Sequence, residues 1–309
     1  MASPRIVSVF GATGLQGGAV VDALLKDGNF VPRAIARDPE SETSKKLKAR
    51  GVEVVKGDSL DKVGLVSALR GSEAVFAVTV PVFFLPDMEG KGELVQGKNI
   101  VCLVLDRDGT WPLLKLHSSL PSISKISDGK YKSVVHYEEK EAVREYLKSS
   151  GLAHASLLLP AFLENLWTRH ILKKTEKGYD LPVPIYKATD LEAFAWISRD
   201  VPSASLVLLK NYADPAKQIN GKAYPVVNAN ISYAKLAQMI GNATDVEVTF
   251  TGAPPTGMVA MDEMFAAHAE YSGLYTATPV PNPELVALRM KFSTIEEFME
   301  TEVKARFGH

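Results

Sequence analysis

Apolar and polar positions follow two alternating periods along the first half of the chain. Arg5 to Phe10 is a short β-branched run, glycines follow at once, and Ala19, Val20, Ala23, Leu24 and Leu25 then recur at helical spacing. Lys26-Asp27-Gly28-Asn29 supplies a helix stop, and Val31 to Ala36 predicts a second strand, which completes a strand-helix-strand unit. The pattern repeats as a polar helix over Ser41 to Arg50, a strand at Val52 to Val55, a helix over Asp61 to Leu69 and a strand at Ala74 to Thr79. Further helices are predicted over Glu93 to Val101 and Tyr137 to Ser149, with a buried strand at Ala155 to Leu159 after Gly151. Such alternation implies an α/β fold of Rossmann type, a parallel sheet with helices on both faces.

From Pro160 onward the alternation loosens and prolines become frequent, as in Pro182, Pro184, Pro202, Pro215 and Pro225. The division this predicts is a nucleotide-binding domain over 1–159 and a smaller mixed α+β lobe over 160–309, with some segments of the latter returning to the sheet. Helices are expected at Ser232 to Gly241, Thr256 to Ser272 and Thr294 to Arg306, the last capped by Ser293 or Thr294.

Composition narrows the function classes. Of 309 residues, 46% are apolar and 23% charged, which suits a soluble globular chain. A net charge of -1 gives no field for direct nucleic-acid or membrane binding. The single cysteine, Cys102, rules out an intramolecular disulfide, fits a reducing compartment and reads as a buried, inert thiol. No run approaches the roughly 18 apolar residues that span a bilayer. The start lacks a secretory pattern, so a cytoplasmic location is expected, with the nucleus also open. His117, His154, His170 and His268 lack metal-ligand spacing, so no metal is expected.

The strongest motif is Gly11-Ala12-Thr13-Gly14-Leu15-Gln16-Gly17-Gly18, a GxxGxxG spacing between a strand and a helix. Glycines let the backbone turn sharply and approach a pyrophosphate, while the amides and positive end of the next helix face the anion. At the end of the second strand an acidic residue would bond the ribose of NAD, whereas a basic one would meet a 2′-phosphate. Arg37 stands there, with Lys45 and Lys46 beyond, and favours NADP(H); the neighbouring Asp38 argues the other way, and Arg37 is also readable as a solvated surface charge. Asp58 closes the third strand, where it can meet an adenine amino group or cap the following helix.

Taken together, GATGLQGG, the Arg37 strand end, Gly57-Asp58, His136-Tyr137-Glu138-Glu139-Lys140 and Pro160-Ala161-Phe162-Leu163-Glu164-Asn165-Leu166 resemble the NmrA-like family, atypical members of the short-chain dehydrogenase/reductase superfamily. The resemblance runs from Arg5 to about Phe250. It implies a Rossmann domain, a smaller C-terminal lobe and bound NADP(H). It further implies cofactor contacts from the loop Gly11 to Gln16, the Arg37 region, Asp58 and Ser59, the strand end Thr79, Val80 and Pro81, Lys98 and Lys140. The Phe162, Leu163, Glu164 and Asn165 stretch would border the nicotinamide. Several relatives act as redox sensors that bind transcription factors or metabolic enzymes, while others reduce substrates.

A standard short-chain dehydrogenase pairs a tyrosine with a lysine four residues later, on one helical face. Here Lys140 is present, but the position four before it is His136. Tyr137 points about 100 degrees away on an ideal helix. Ser118 and Ser119 resemble the serine that polarises a carbonyl. A Ser, His, Lys set could protonate a carbonyl oxygen, with Lys140 and His136 in the proton path. In the other reading His136 caps a helix or orients a ribose, and Lys140 only binds cofactor. Trp167, Phe194 and Trp196 read either as a pocket beside the nicotinamide or, more commonly, as core packing.

One stretch departs from the family. Val101 to Pro112 contains Asp106-Arg107-Asp108-Gly109, which is turn chemistry, and Pro112 discourages helix before it. A shortened or shifted fifth strand is therefore expected, and a wrongly joined exon would give the same pattern. The function expected first is a redox-sensing NADP(H)-binding regulator acting through a protein partner. The alternative is an NADPH-dependent oxidoreductase acting on a small carbonyl, quinone or phenylpropanoid-like substrate.

Overall fold

The computed structural model describes residues 4–81, 92–102 and 114–308. The turn-rich stretch from Leu103 to Pro112 lies outside them, and so does the side chain of Cys102. The chain opens with β1 (Ile6–Phe10), α1 (Leu15–Asp27), β2 (Val31–Ala36), α2 (Glu42–Ala49), β3 (Glu53–Lys56), α3 (Lys62–Leu69), β4 (Ala74–Ala77) and α4 (Glu93–Cys102). It continues through β5 (Leu114–Ser119), α5 (Ile123–Ile126), α6 (Val135–Ser149) and β6 (His154–Leu158).

These strands form one parallel sheet in the order β6-β5-β4-β1-β2-β3, extended beyond β6 by the later β11 (Lys222–Pro225). Sequential strands are joined by helices that cover both faces, so each strand must be apolar on both sides. In β1, Val7 and Val9 enter the main core with Val20, Val21 and Leu24 of α1, while Phe10 joins Leu65, Leu69 and Val75 on the opposite face. α1 stops at Gly28, whose positive φ of 72° lets its amide bond Leu24 O, a left-handed cap that favours glycine.

β5 corrects the expectation of a shortened or shifted strand. It is six residues long and paired on both sides, Leu116 standing opposite Phe76 of β4 and Ala155 of β6. Pairing from two neighbours overrides the local turn signal upstream.

The second half begins with β7 (Ala161–Phe162), α7 (Asn165–Thr168), β8 (Lys173–Lys174), β9 (Gly178–Pro184), β10 (Leu191–Ala195) and α8 (Ile197–Asn211). After β11 come β12 (Ala229–Ser232), α9 (Tyr233–Thr244), β13 (Glu247–Ala253), α10 (Val259–Glu270) and α11 (Pro283–Ala287). At the C-terminal end α12 (Ile295–Phe298) runs through a π-turn at Met299–Val303 into α13 (Lys304–Phe307). Thr294 caps α12 with a capping box to Glu297.

Two three-stranded sheets, β12-β10-β7 and β13-β9-β8, enclose an aromatic core that holds Phe194, Trp196, Tyr186, Tyr233 and Phe298. Trp167 stacks on Phe298 at 5.6 Å. The three aromatic residues with two sequence readings are thus packed into the lobe core.

Buried acids bind this lobe to the rest. Glu164 accepts from the amides of Ile197 (3.1 Å) and Ser198 (2.8 Å) at the start of α8. Asp200 accepts from Trp196 N (3.1 Å), Asn228 Nδ2 (3.1 Å), and Ser293 N and Oγ (both 2.9 Å), and burial pushes its carboxyl up to about 6.

Candidate functional site

The site is built on the carboxyl ends of β1, β2, β3, β4 and β5. At the end of β1 the backbone turns at Gly11 with φ of +65°. Gly14 N then donates to Gly11 O at 2.8 Å and begins α1 as an N-cap with no side-chain partner for the helix amides. The first-turn N–H groups of a helix have no intrahelical acceptor, so this end presents donors and the positive end of the helix dipole. Gly17 is fixed by sterics: a Cβ there would lie 2.3 Å from Gly11 O. Ala12 is buried beneath the loop, whereas Gly11, Thr13 and Gly14 are exposed and Leu15 and Gln16 half-buried. Ser118 at the end of β5 donates to Gln16 Oε1 at 2.7 Å, which joins that strand end to the loop.

Arg37 follows β2 and is exposed, and among the described residues it enters no ion pair. Asp38 does not oppose it: its Oδ1 accepts from Glu40 N at 2.9 Å, and its backbone carbonyl accepts from Ser41 Oγ and Ser44 Oγ. The acid is used to shape the turn into α2, which leaves the guanidinium available to an anion.

Asp58 is half-buried after β3, with Oδ1 accepting from Leu60 N at 2.9 Å. It does not cap α3. That role belongs to Asp61, which accepts from Gly64 N at 3.0 Å, three residues nearer the helix than the sequence reading placed it.

Helix α4 supplies what the sequence reading missed. Glu93, Gln96 and Asn99 recur at helical spacing and reach the ends of two strands, β3 and β4. Asn99 Nδ2 donates to Ser59 O at 3.0 Å, and Gln96 clamps Val80 by donating to its carbonyl at 2.9 Å and accepting from its amide at 3.0 Å. Glu93, fully buried, meets Thr79 Oγ1 at 2.8 Å and Lys140 Nζ at 2.7 Å. The polar spacing of Glu93, Gln96 and Asn99 beside Leu94, Val95, Ile100 and Val101 was the available signal. Lys98 stands apart from that stripe, its ammonium 5.5 Å from the centre of the Tyr146 ring on α6.

His136 and Lys140 lie one turn apart on α6, as the i, i+4 spacing requires. His136 is not the helix cap; Val134 is. Burial, reinforced by the Lys140 ammonium, pushes the His136 imidazole down to about 3, so it is neutral at physiological pH. Tyr137 turns away into a buried chain: its hydroxyl is 2.7 Å from His268 Nε2, and His268 Nδ1 is 3.0 Å from Glu192 Oε2. Tyr186 OH donates to that same oxygen at 2.6 Å. Ser119 Oγ donates to Lys140 O at 3.3 Å, so it meets the lysine backbone.

On the lobe side, Phe162 is half-buried and pairs through β7 with Ala195 of β10. Leu163 is buried in the lobe core, its amide donating to Ala195 O at 3.0 Å, and Asn165 starts α7 with Oδ1 accepting from Thr168 Oγ1. Among the described residues no group of three His, Cys, Asp or Glu could hold a metal ion, and no helix is long and apolar enough to cross a membrane.

The sequence profile of the NmrA-like family matches residues 4–299. The chain belongs to the NmrA-like family. The NmrA-like family domain-containing oxidoreductase notA' of Aspergillus versicolor is 31% identical over 248 residues, covering 75% of this chain and 67% of that relative. The oxidoreductase notA of Aspergillus sp. (strain MF297-2) is 38% identical over 161 residues, 51% of this chain and less than half, 45%, of its own length. Among solved structures, NmrA, a negative transcriptional regulator in complex with NADP, superposes with a TM-score of 0.75 at 16% identity, covering 99% of this chain and 97% of that one. Citrobacter sp. triphenylmethane reductase complexed with NADP(H) gives 0.71 at 16% identity, covering 96% and 99%. At these identities the superpositions establish a shared NmrA-like fold.

Proposed function

We propose that this NmrA-like chain binds NADP(H) at the Gly11 loop and works as a reductase of a small electron-poor acceptor, a carbonyl or quinone. The observation that carries the reading is the fit of the cradle to a diphosphate. A Cβ at Gly17 would strike Gly11 O, and the amides of α1 open onto the loop beside Arg37, which no described residue pairs. In this arrangement Gly11 to Gly17 hold the pyrophosphate, Arg37 meets the 2′-phosphate, and Asp58 and Ser59 face the adenosine. The Thr79 to Pro81 rim and the Phe162 to Asn165 wall border the nicotinamide. When bound, NADPH would supply a hydride, and the residues named above would orient it. Relatives named oxidoreductases, and the reductase among the structural neighbours, support this reading.

A second reading is favoured by one observation: histidine occupies the position where the superfamily's acid is a tyrosine, and burial keeps it uncharged. On that reading the protein reports the redox state of NADP(H) to a protein partner, a transcription factor or metabolic enzyme, in cytoplasm or nucleus. Incubating the purified chain with NADPH and a panel of quinones and aldehydes, and following loss of nicotinamide absorbance, separates the two. Turnover of one class is expected. Stoichiometric NADPH binding with no turnover would favour the reporter, and no binding would sink both.

A further inference from the structure

Helix α10 of the C-terminal lobe reaches the entry to α6 with three side chains. Glu270 accepts from Tyr131 OH at 2.7 Å, Glu263 accepts from Ser133 N at 2.6 Å, and His268 Nε2 meets Tyr137 OH at 2.7 Å. The last contact is enclosed, with Tyr137 and His268 each at 6% exposure and Glu192 beyond them at 3%. Counting hydrogens fixes the polarity of this buried chain. Glu192 Oε2 accepts from Tyr186 OH at 2.6 Å and Oε1 accepts from Ala193 N at 2.8 Å, so His268 Nδ1, 3.0 Å from Oε2, must donate to the carboxylate. Tyr137 OH has no other acceptor among the described residues, and a buried hydroxyl hydrogen without one is costly. It therefore donates to His268 Nε2, which leaves the Nδ1–H tautomer of the ring. The backbone holds His268 in place as well. Ser272, Gly273 and Leu274, just after α10, are all left-handed, with φ of 50°, 76° and 73°. Gly273 N donates to His268 O at 2.8 Å, and a Cβ at Gly273 would lie 2.2 Å from Ala193 N and 2.8 Å from Glu192 Oε1. The two non-glycine residues keep this unfavourable conformation only because their surroundings impose it. At the other end of the chain the Tyr137 ring meets the His136 ring edge-on, their centroids 4.7 Å apart.

We propose that Tyr137, His268 and Glu192 are positioning residues for the reduction: their donor chain fixes the Tyr137 ring from the lobe, and that ring fixes the orientation of the neighbouring His136 imidazole. The proposal rests on the reductase reading, in which His136 stands in the proton path; the chain itself is a property of the free protein. Every member of the chain is buried, so it acts on the reaction through His136 and not by touching substrate. Shifting a reacting group by about 1 Å can cost on the order of a hundredfold in rate, and such a loss falls on kcat when binding contacts are kept.

The test is Tyr137→Phe, which keeps the ring and removes the hydroxyl. Turnover is measured with NADPH and the acceptor class that wild-type protein reduces. The His136 ring is followed by NMR in histidine-labelled, cofactor-free protein, its signals assigned by their loss in His136→Asn. In Tyr137→Phe kcat is expected to fall at least about tenfold with KM for NADPH within about twofold, and the single sharp set of His136 signals is expected to broaden or double. Either quantity unchanged overturns the proposal, because a merely structural hydroxyl would lower stability and move neither. Should Tyr137→Phe not fold, His268→Leu removes the acceptor of the same hydroxyl and reads the same two quantities, with the same expectations. Wild-type protein supplies an independent check: the ring-nitrogen shifts of His268 are expected to be those of the Nδ1–H tautomer, and an Nε2–H ring overturns the chain. If wild-type protein reduces no acceptor, the reductase reading falls and the His136 signals alone decide whether the chain positions that ring: broadening or doubling supports it, and no change overturns it.

Discussion

At the residue scale, some side chains are committed inside the fold and others are left for a ligand. Arg33 is held by Glu53 and Arg50 by Asp22, but Arg37 is exposed and enters no ion pair among the described residues. Arg37→Ser is therefore expected to weaken NADPH binding about tenfold while leaving NADH within about twofold, as titration of each would record. Equal losses for both would remove Arg37 from the 2′-phosphate. Gly17→Ala places a methyl against the Gly11 carbonyl, which must move. It is expected to cost about 1–3 kcal/mol in urea unfolding and to lower NADPH affinity by more than about tenfold. Both residues were legible in the sequence, because strand, glycine spacing and strand-end charge are local. The role of Asp38 was not. Its position beside Arg37 argued for NAD, and only the turn it organises shows that the carboxylate is already used.

At the scale of elements, β5 and α4 show where local reading fails. Turn chemistry ahead of β5 argued for a shifted strand, but hydrogen bonding to β4 and β6 holds all six residues in register. The strand carries a polar face that periodicity could not interpret. Lys115 Nζ, both His117 ring nitrogens, His154 Nε2 and Ser156 Oγ are buried on β5 and β6 without partners among the described residues. Burial pushes Lys115 down to about 7 and, together with the Lys140, Arg144 and His154 charges, His117 down to about 3. The sign follows from linkage. Below the ordinary value of 6.5 the unfolded chain takes up a proton that the folded His117 refuses, so stability falls as the pH drops from 6.5 toward 3. For this one residue the loss between pH 7 and pH 5.5 is about 1 kcal/mol. His117→Leu is expected to lose about that much less than wild type over the same interval in urea titrations. An identical drop in both proteins would show that His117 takes no part. The stripe of Glu93, Gln96 and Asn99 was missed for a related reason: helical spacing is visible in sequence, but the two strand ends that it faces are not.

At the scale of the molecule, two halves of unequal regularity share one frame. The first half could be traced element by element because each strand-helix pair obeys a local period. In the second, the helices over Tyr233–Thr244, Val259–Glu270 and Ile295–Phe298 could be read but the strands could not, because their order comes from long-range contacts. β11 returns to the edge of the large sheet, α8 lies against α1, and Asp200 gathers donors from Trp196, Asn228 and Ser293. His268, which looked isolated in sequence, joins Tyr137 of α6 to Glu192 of β10 and so ties the lobe to the helix that carries His136 and Lys140. The lobe is thus braced to the half that carries the parallel sheet. Everything functional still depends on the Gly11 loop holding a dinucleotide. The most direct measurement is calorimetric titration of the purified chain with NADPH and with NADH. One NADPH per chain, bound at least about tenfold more tightly than NADH, is expected. Absence of binding by either, or tighter binding of NADH, would contradict the account.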